Sequence, residues 1–202
     1  MAKARKSAEL SVAAHKAFHE FLKEFTAEGD RAAVILGVAR LDSLLLQLLS
    51  RVLVPNTGNT DELLEGDAPL GTFHARIHCA YRLALIDAEL ARALHICRRI
   101  RNTFAHELSG STLDSGSHRD RVRELTAPFI GYKMYEEFER LAFTGSKGTA
   151  SDFRCALAVI SVRLEGALAN AKPFDRNSPF RLLIPNDEWD EPGSEQSQSD
   201  VE

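Results

Sequence analysis

Cysteine is scarce and scattered in this chain. Cys79, Cys97 and Cys155 are too far apart for a disulfide framework and lack the paired spacing of a zinc site, so they are expected as reduced thiols on the apolar sides of helices. An unbroken apolar run is also missing. The most hydrophobic stretch, Ala32 to Val54, is interrupted by Arg40, Asp42, Gln47 and Arg51, each costly in hydrocarbon, so it reads as a buried helix and no membrane span is expected. Lys3, Arg5 and Lys6 stand near the N-terminus without the apolar segment of a signal peptide behind them, and a cytoplasmic location follows as the expectation. There is no convincing period-two alternation, no Asn-Gly hairpin signal and no repeated period, which leaves strands and solenoids without support.

Basic residues vanish after Asn186, where Asp187, Glu188, Asp190, Glu191, Glu195, Asp200 and Glu202 follow with no Lys or Arg. The formal net charge of −4 therefore misleads. Without those acids the rest of the chain is mildly basic and its tail acidic. A length of 202 residues suits one hydrophobic core with a tail. The expected division is a helical bundle over residues 1–172 and a Pro-containing acidic tail over 173–202, largely disordered because Asp, Glu, Ser and Gln offer little apolar surface to bury. Trp189 is the exception, a residue able to dock on a partner.

What is abundant is apolar residues at helical spacing. Leu10, Ala13, Ala14, Ala17, Phe18, Phe21, Leu22 and Phe25 form one stripe of a first helix, which Gly29 breaks. Asp30 is placed to cap the next, running from Arg31 to Val54 and stopped by Pro55. Turn residues fill Pro55 to Gly71, with a single helical turn possible at Asp61 to Leu64. A third helix is expected from Thr72 to Ile86 on Phe73, Ile77, Ala80, Tyr81 and Ala84, and a fourth from Asp87 to His106 on Leu90, Leu94, Cys97, Ile100 and Phe104. After a Ser- and Gly-rich loop from Ser109 to Ser117, short helices are expected at Arg119 to Thr126 and Lys133 to Leu141. A last long helix, capped by Ser151, carries Phe153, Leu157, Ile160, Leu164, Ala167 and Leu168 and stops before Pro173. The fold class is all-α, an up-and-down bundle of about five main helices.

One run on this framework is chemically pointed: Arg101-Asn102-Thr103-Phe104-Ala105-His106, at the end of the fourth helix. Positions five apart lie about 140° around an ideal helix, so Arg101 and His106 do not converge easily, whereas Asn102 and His106, four apart, share a face. The geometry makes best sense with two copies facing each other across a two-fold axis, hence an expected homodimer. A His of ordinary pKa near ~6.5 can take the proton of an RNA 2′-hydroxyl, and an Arg can stabilise charge on the attacked phosphate. Asn102 would orient the His or hold a phosphate oxygen, no metal or cofactor would be needed, and Arg92, Arg98 and Arg99 would attract phosphate. The structural alternative is equally physical: Arg and His near a helix C-terminus meet the dipole and bond its last carbonyls.

Other clusters are weaker. His15 with His19, and His74 with His78, have the i, i+4 spacing that lets two imidazoles share a metal, but neither pair has a neighbouring ligand set in the sequence, so no metal site is assigned. Arg119, Arg121 and Arg123 interleave with Asp120 and Glu124, as on a salt-bridged surface helix or a nucleic-acid patch. Gly66 to Gly71 lacks the Lys-Ser or Lys-Thr and the preceding strand of a phosphate loop, and reads as a turn setting the angle of the third helix.

Arg-x4-His with Asn after the Arg, at the end of a helix, resembles the signature of the HEPN superfamily of helical nucleotide-binding proteins and ribonucleases. A longer run, Leu63-Leu64-Glu65-Gly66-Asp67-Ala68-Pro69-Leu70-Gly71 continuing through Arg76-Ile77 and Tyr81 to Leu85-Ile86, is similar to the mannitol operon repressor family. The likeness spans about Arg31 to His106, and the portion after Leu108 has none. It implies a HEPN-like bundle and a regulatory protein, with Arg101, Asn102 and His106 acting on RNA as a metal-independent endoribonuclease. Two other roles stay open: a non-catalytic regulator working through a protein partner, for instance by its acidic tail, and a toxin or antiphage defence component. Sequence-specific DNA binding is not expected, because no compact helix-turn-helix pair with a basic recognition helix is present.

Overall fold

A computed structural model of the chain describes residues 29–56, 58–107, 111–142 and 148–174. The expected first helix over Leu10 to Phe25 and the acidic tail lie outside these residues. Six α-helices follow in order: α1 Asp30–Val52, α2 Phe73–Arg82, α3 Ala88–His106, α4 Gly116–Thr126, α5 Lys133–Ala142 and α6 Thr149–Asn170. No strand occurs among the described residues, and the all-α class stands.

Helix α1 packs against α6, α3 and α2, while α6 also touches α4 and α5. By length and hydropathy α1 alone among the described helices could cross a bilayer, but half of its most apolar window is buried inside the protein. Val34, Val38, Leu41, Leu45, Leu48 and Leu49 supply its core face. Helix α6 is enclosed more completely than the expected stripe of spaced apolar residues suggests, since Phe153 through Ser161 are all buried, including Arg154. Arg154 pairs there with Asp30 at 3.3 Å. That pairing changes the expected role of Asp30. The N-cap of α1 is Gly29, and the Asp30 carboxylate instead joins Arg154 and accepts a bond from the Leu113 amide at 3.0 Å.

Two other caps also differ in detail. Helix α6 begins at Thr149, not Ser151, and its first amide donates to the Asp114 carboxylate at 3.1 Å, while Ser151 is buried. Helix α2 ends at Arg82, four residues before the expected Ile86, because Ala84 turns to φ 55°. There the Leu85 amide donates to the Ala80 carbonyl and the Ala84 amide to the Tyr81 carbonyl, each at 2.9 Å, the paired bonds of a left-handed helix stop. The Thr72 and Asp87 side chains do cap α2 and α3, accepting from Ala75 N at 3.2 Å and Leu90 N at 2.8 Å.

The Gly66 to Gly71 turn is fixed by close backbone approach. A Cβ on Gly71 would lie 2.2 Å from the Gly66 carbonyl oxygen. Arg76 ties this turn to the bundle, donating to the Leu70 carbonyl at 2.9 Å, the Leu64 carbonyl at 3.2 Å and the Asp42 carboxylate of α1 at 2.7 Å. The turn therefore sets where α2 lies against α1, and with it the floor of the site described next.

Candidate functional site

Helix α3 carries every residue that the motif singles out. Its buried face is Leu94, Cys97, Ile100 and Phe104, at the expected spacing. The opposite side presents Arg92, His95, Arg99, Asn102 and His106, which three- and four-residue steps place on one stripe. Phe104, inside the motif, is fully buried and stacks obliquely on His118 of α4 with ring centroids 4.5 Å apart. This anchor holds the end of α3 while Arg101 and His106 on either side stay exposed.

Arg101 and Asn102 are brought together: the guanidinium donates to the Asn102 side-chain oxygen at 3.1 Å. The His106 ring makes no hydrogen bond to another described residue, and it is not joined to Arg101. The last carbonyls of α3 are occupied by a different cation. Arg31 of α1 donates to the Phe104 carbonyl at 2.6 Å and to the Glu107 carbonyl at 2.5 Å. Arg31 thus performs the helix-end task that chemistry would otherwise allot to Arg101 or His106.

Below the motif, Glu107 is the acceptor of a small network. The Ser111 hydroxyl donates to its carboxylate, and His118 Nε2 lies 3.4 Å from the same oxygen. The Ser111 bond, aided by His118 and Arg31 and opposed by desolvation, lowers the Glu107 carboxyl below its ordinary range. Arg121 of α4 donates to the Thr103 hydroxyl at 2.9 Å, fixing α4 beside the motif.

The arginines expected to attract phosphate line a cleft of about 690 Å³ between α2 and α3, which Glu124 of α4 also lines. Arg92 pairs with Glu124 at 2.9 Å, and Arg99 lies 3.9 Å from the same carboxylate. These pairs are solvent-exposed, so each contributes little and can exchange for an incoming phosphate. Arg98 lines the same cleft with its Nε buried and unpartnered among the described residues.

The cleft also holds what the sequence did not assemble. His74 and His78 of α2 meet His95 of α3, with ring centroids 4.5 Å apart for His74 and His78, 5.3 Å for His74 and His95, and 4.9 Å for His78 and His95. The missing neighbour of the His74 and His78 pair thus comes from the next helix. Burial first, then the charges of His78, His74, Arg98 and Arg99, push the His95 imidazole down to about 4. His74 is lowered as well, by desolvation, Arg98 and His78. The cysteines take no part in this site: Cys97 and Cys155 are buried and free, each thiol pushed up to about 12 chiefly by burial.

Arg31, His118 and Glu107 were not singled out by sequence reasoning. Only tertiary packing brings them to the end of α3. The arrangement defines an all-helical bundle with a cationic, imidazole-bearing face on one helix. Neither a family model nor a curated protein matches the chain. A solved structure does share the fold, a chain of the MtlR–HPr complex from Escherichia coli, with a TM-score of 0.53 and 17% identity, covering 73% of this chain and 98% of that one. At that identity the likeness is one of fold, to the mannitol repressor protein of that complex.

Proposed function

We propose that this protein is a regulatory RNA-binding protein that cleaves RNA without a metal, acting as a homodimer through the exposed end of α3. The observation that carries this reading is the capping of α3 by Arg31, which leaves Arg101, Asn102 and His106 at the surface with no role in ending the helix. In the proposed reaction His106 accepts the proton of an RNA 2′-hydroxyl, whose oxygen attacks the adjacent phosphorus. The P–O5′ bond breaks, a 2′,3′-cyclic phosphate forms, and the 5′-oxygen takes a proton from water or from the imidazolium of the second protomer. Arg101, held on Asn102, stabilises the charge on the phosphate, and Arg92, Arg98 and Arg99 draw the strand along α3. One protomer spreads Arg101 and His106 around the helix, so a cleft built from two copies completes the site.

The test is incubation of the purified protein with single-stranded RNA in EDTA. Products ending in cyclic phosphate are expected, and RNA carrying 2′-O-methyl groups should remain intact. Equal cleavage of both substrates would overturn the reading.

A second reading is favoured by the structural neighbour, which was solved in complex with HPr. On that reading the chain regulates by holding a protein partner. Deleting Asn186 to Glu202 or replacing Trp189 would then abolish capture of the partner, while His106→Ala would leave it unchanged.

A further inference from the structure

The histidine cluster on α2 and α3 does not include Arg101, Asn102 or His106, and the proposed cleavage gives these three histidines no role. His74 and His78 sit one turn apart at the surface, and His95 reaches them from the neighbouring helix, half-buried. One ligand nitrogen from each lies within 4.8 Å of the other two. A tetrahedral zinc ion with Zn–N bonds of about 2.0–2.1 Å holds its ligand nitrogens roughly 3.3 Å apart. Closing from the present spacing needs shifts of about an ångström, within reach of side-chain rotation for the two exposed rings.

We propose that His74, His78 and His95 form a binding site for a borderline transition-metal cation of the zinc type, with three imidazole ligands and an open fourth position facing the cleft. Three nitrogens and no carboxylate or carbonyl oxygen suit zinc, cobalt, nickel or copper, and disfavour magnesium and calcium. Two ligands on one helix and the third on the next make the ion a staple across the α2 and α3 pair. Imidazole binds a metal in its neutral form, so Zn²⁺ affinity is expected to fall as the pH is lowered. The arginines of the cleft oppose a bare dication. They favour an anionic fourth ligand, and Arg98, with its buried Nε unpartnered among the described residues, stands in the same cleft for one. The site shares this cleft and Arg98 with the ribonuclease reading, which uses no metal, so the two are tested by separate measurements.

The experiment uses the full chain, free of any purification tag, titrated with Zn²⁺ against a chromophoric chelator and separately with Co²⁺ followed by visible absorption. One equivalent per chain is expected, with the intense visible bands of four-coordinate cobalt. His74→Ala and His78→Ala, both at exposed positions, should each weaken Zn²⁺ binding at least about tenfold, and so should His95→Gln, checked for an unchanged helical circular-dichroism spectrum. The variant with both His15→Ala and His19→Ala should bind as the parent does. Absence of stoichiometric binding would overturn the proposal. So would unchanged affinity in the exposed single variants, or loss of the site in the His15 and His19 variant. Cleavage of RNA in EDTA is measured apart from these titrations, so failure of either reading leaves the other standing.

Discussion

Arg31 and Phe104 hold the end of α3 from two sides, one by charge and one by burial. Arg31→Ala removes two charge-assisted bonds to carbonyls at a partly exposed helix end, and should cost about 1 kcal/mol of stability by denaturant titration. Phe104→Ala empties a fully buried site and should cost about 3–5 kcal/mol. Both substitutions are expected to impair RNA cleavage as well, because the motif loses its support. Phe104 was legible in the sequence from its period with Leu94, Cys97 and Ile100. Arg31 was not: its partner carbonyls lie more than seventy residues away, and no spacing rule connects them. His95 was half legible. A short connection folds α3 back along α2, and folding about Leu85 sets positions 74 and 78 opposite about 96 and 92. The fold-back brings His95 to the pair, but spacing within one helix does not.

The caps and turns decide how the elements meet. Gly71→Ala would drive a Cβ into the Gly66 carbonyl, so the turn must open. A loss of about 2–3 kcal/mol is expected, together with a shift of α2 that weakens the histidine cluster. Ala84 has the opposite sign. Its φ of 55° is strained for a residue with a Cβ, and Ala84→Gly should raise stability by about 1 kcal/mol, read as a higher thermal midpoint. The helix over residues 88–106 was legible almost to the residue because Asp87 caps it and its apolar period is unbroken. The early end of α2 was hidden because its stop uses alanine where glycine is usual. Asp30, expected to cap α1, is redirected by a tertiary contact to Arg154, and at α6 the place expected of Ser151 is taken by Asp114, whose carboxylate accepts from the first amide.

At the scale of the molecule, the bundle is organised around α1 and α6, and charge is distributed unevenly over it. Asp152 sits near Glu139 and Asp114, and its carboxyl is raised by burial first and then by those two charges. A carboxyl raised on folding binds its proton more tightly in the native state, so it destabilises the protein above its raised pKa, and that penalty disappears as pH falls through the window down to the ordinary value near 4. Asp152→Asn is therefore expected to raise the thermal midpoint at pH 7, and the gain should vanish toward pH 4. A constant gain across that range would show that the contact is not electrostatic. The all-α class was legible from periodicity alone. The cationic cleft was not, because it depends on how α2, α3 and α4 pack.

Whether the exposed end of α3 does chemistry decides what this protein does. The most direct measurement compares the parent chain with His106→Ala for RNA cleavage in EDTA, after matched circular-dichroism spectra and thermal midpoints establish that both are folded. A loss of about 10²–10⁴-fold in rate, the usual contribution of a general base, is the predicted result. Full activity in His106→Ala would contradict it.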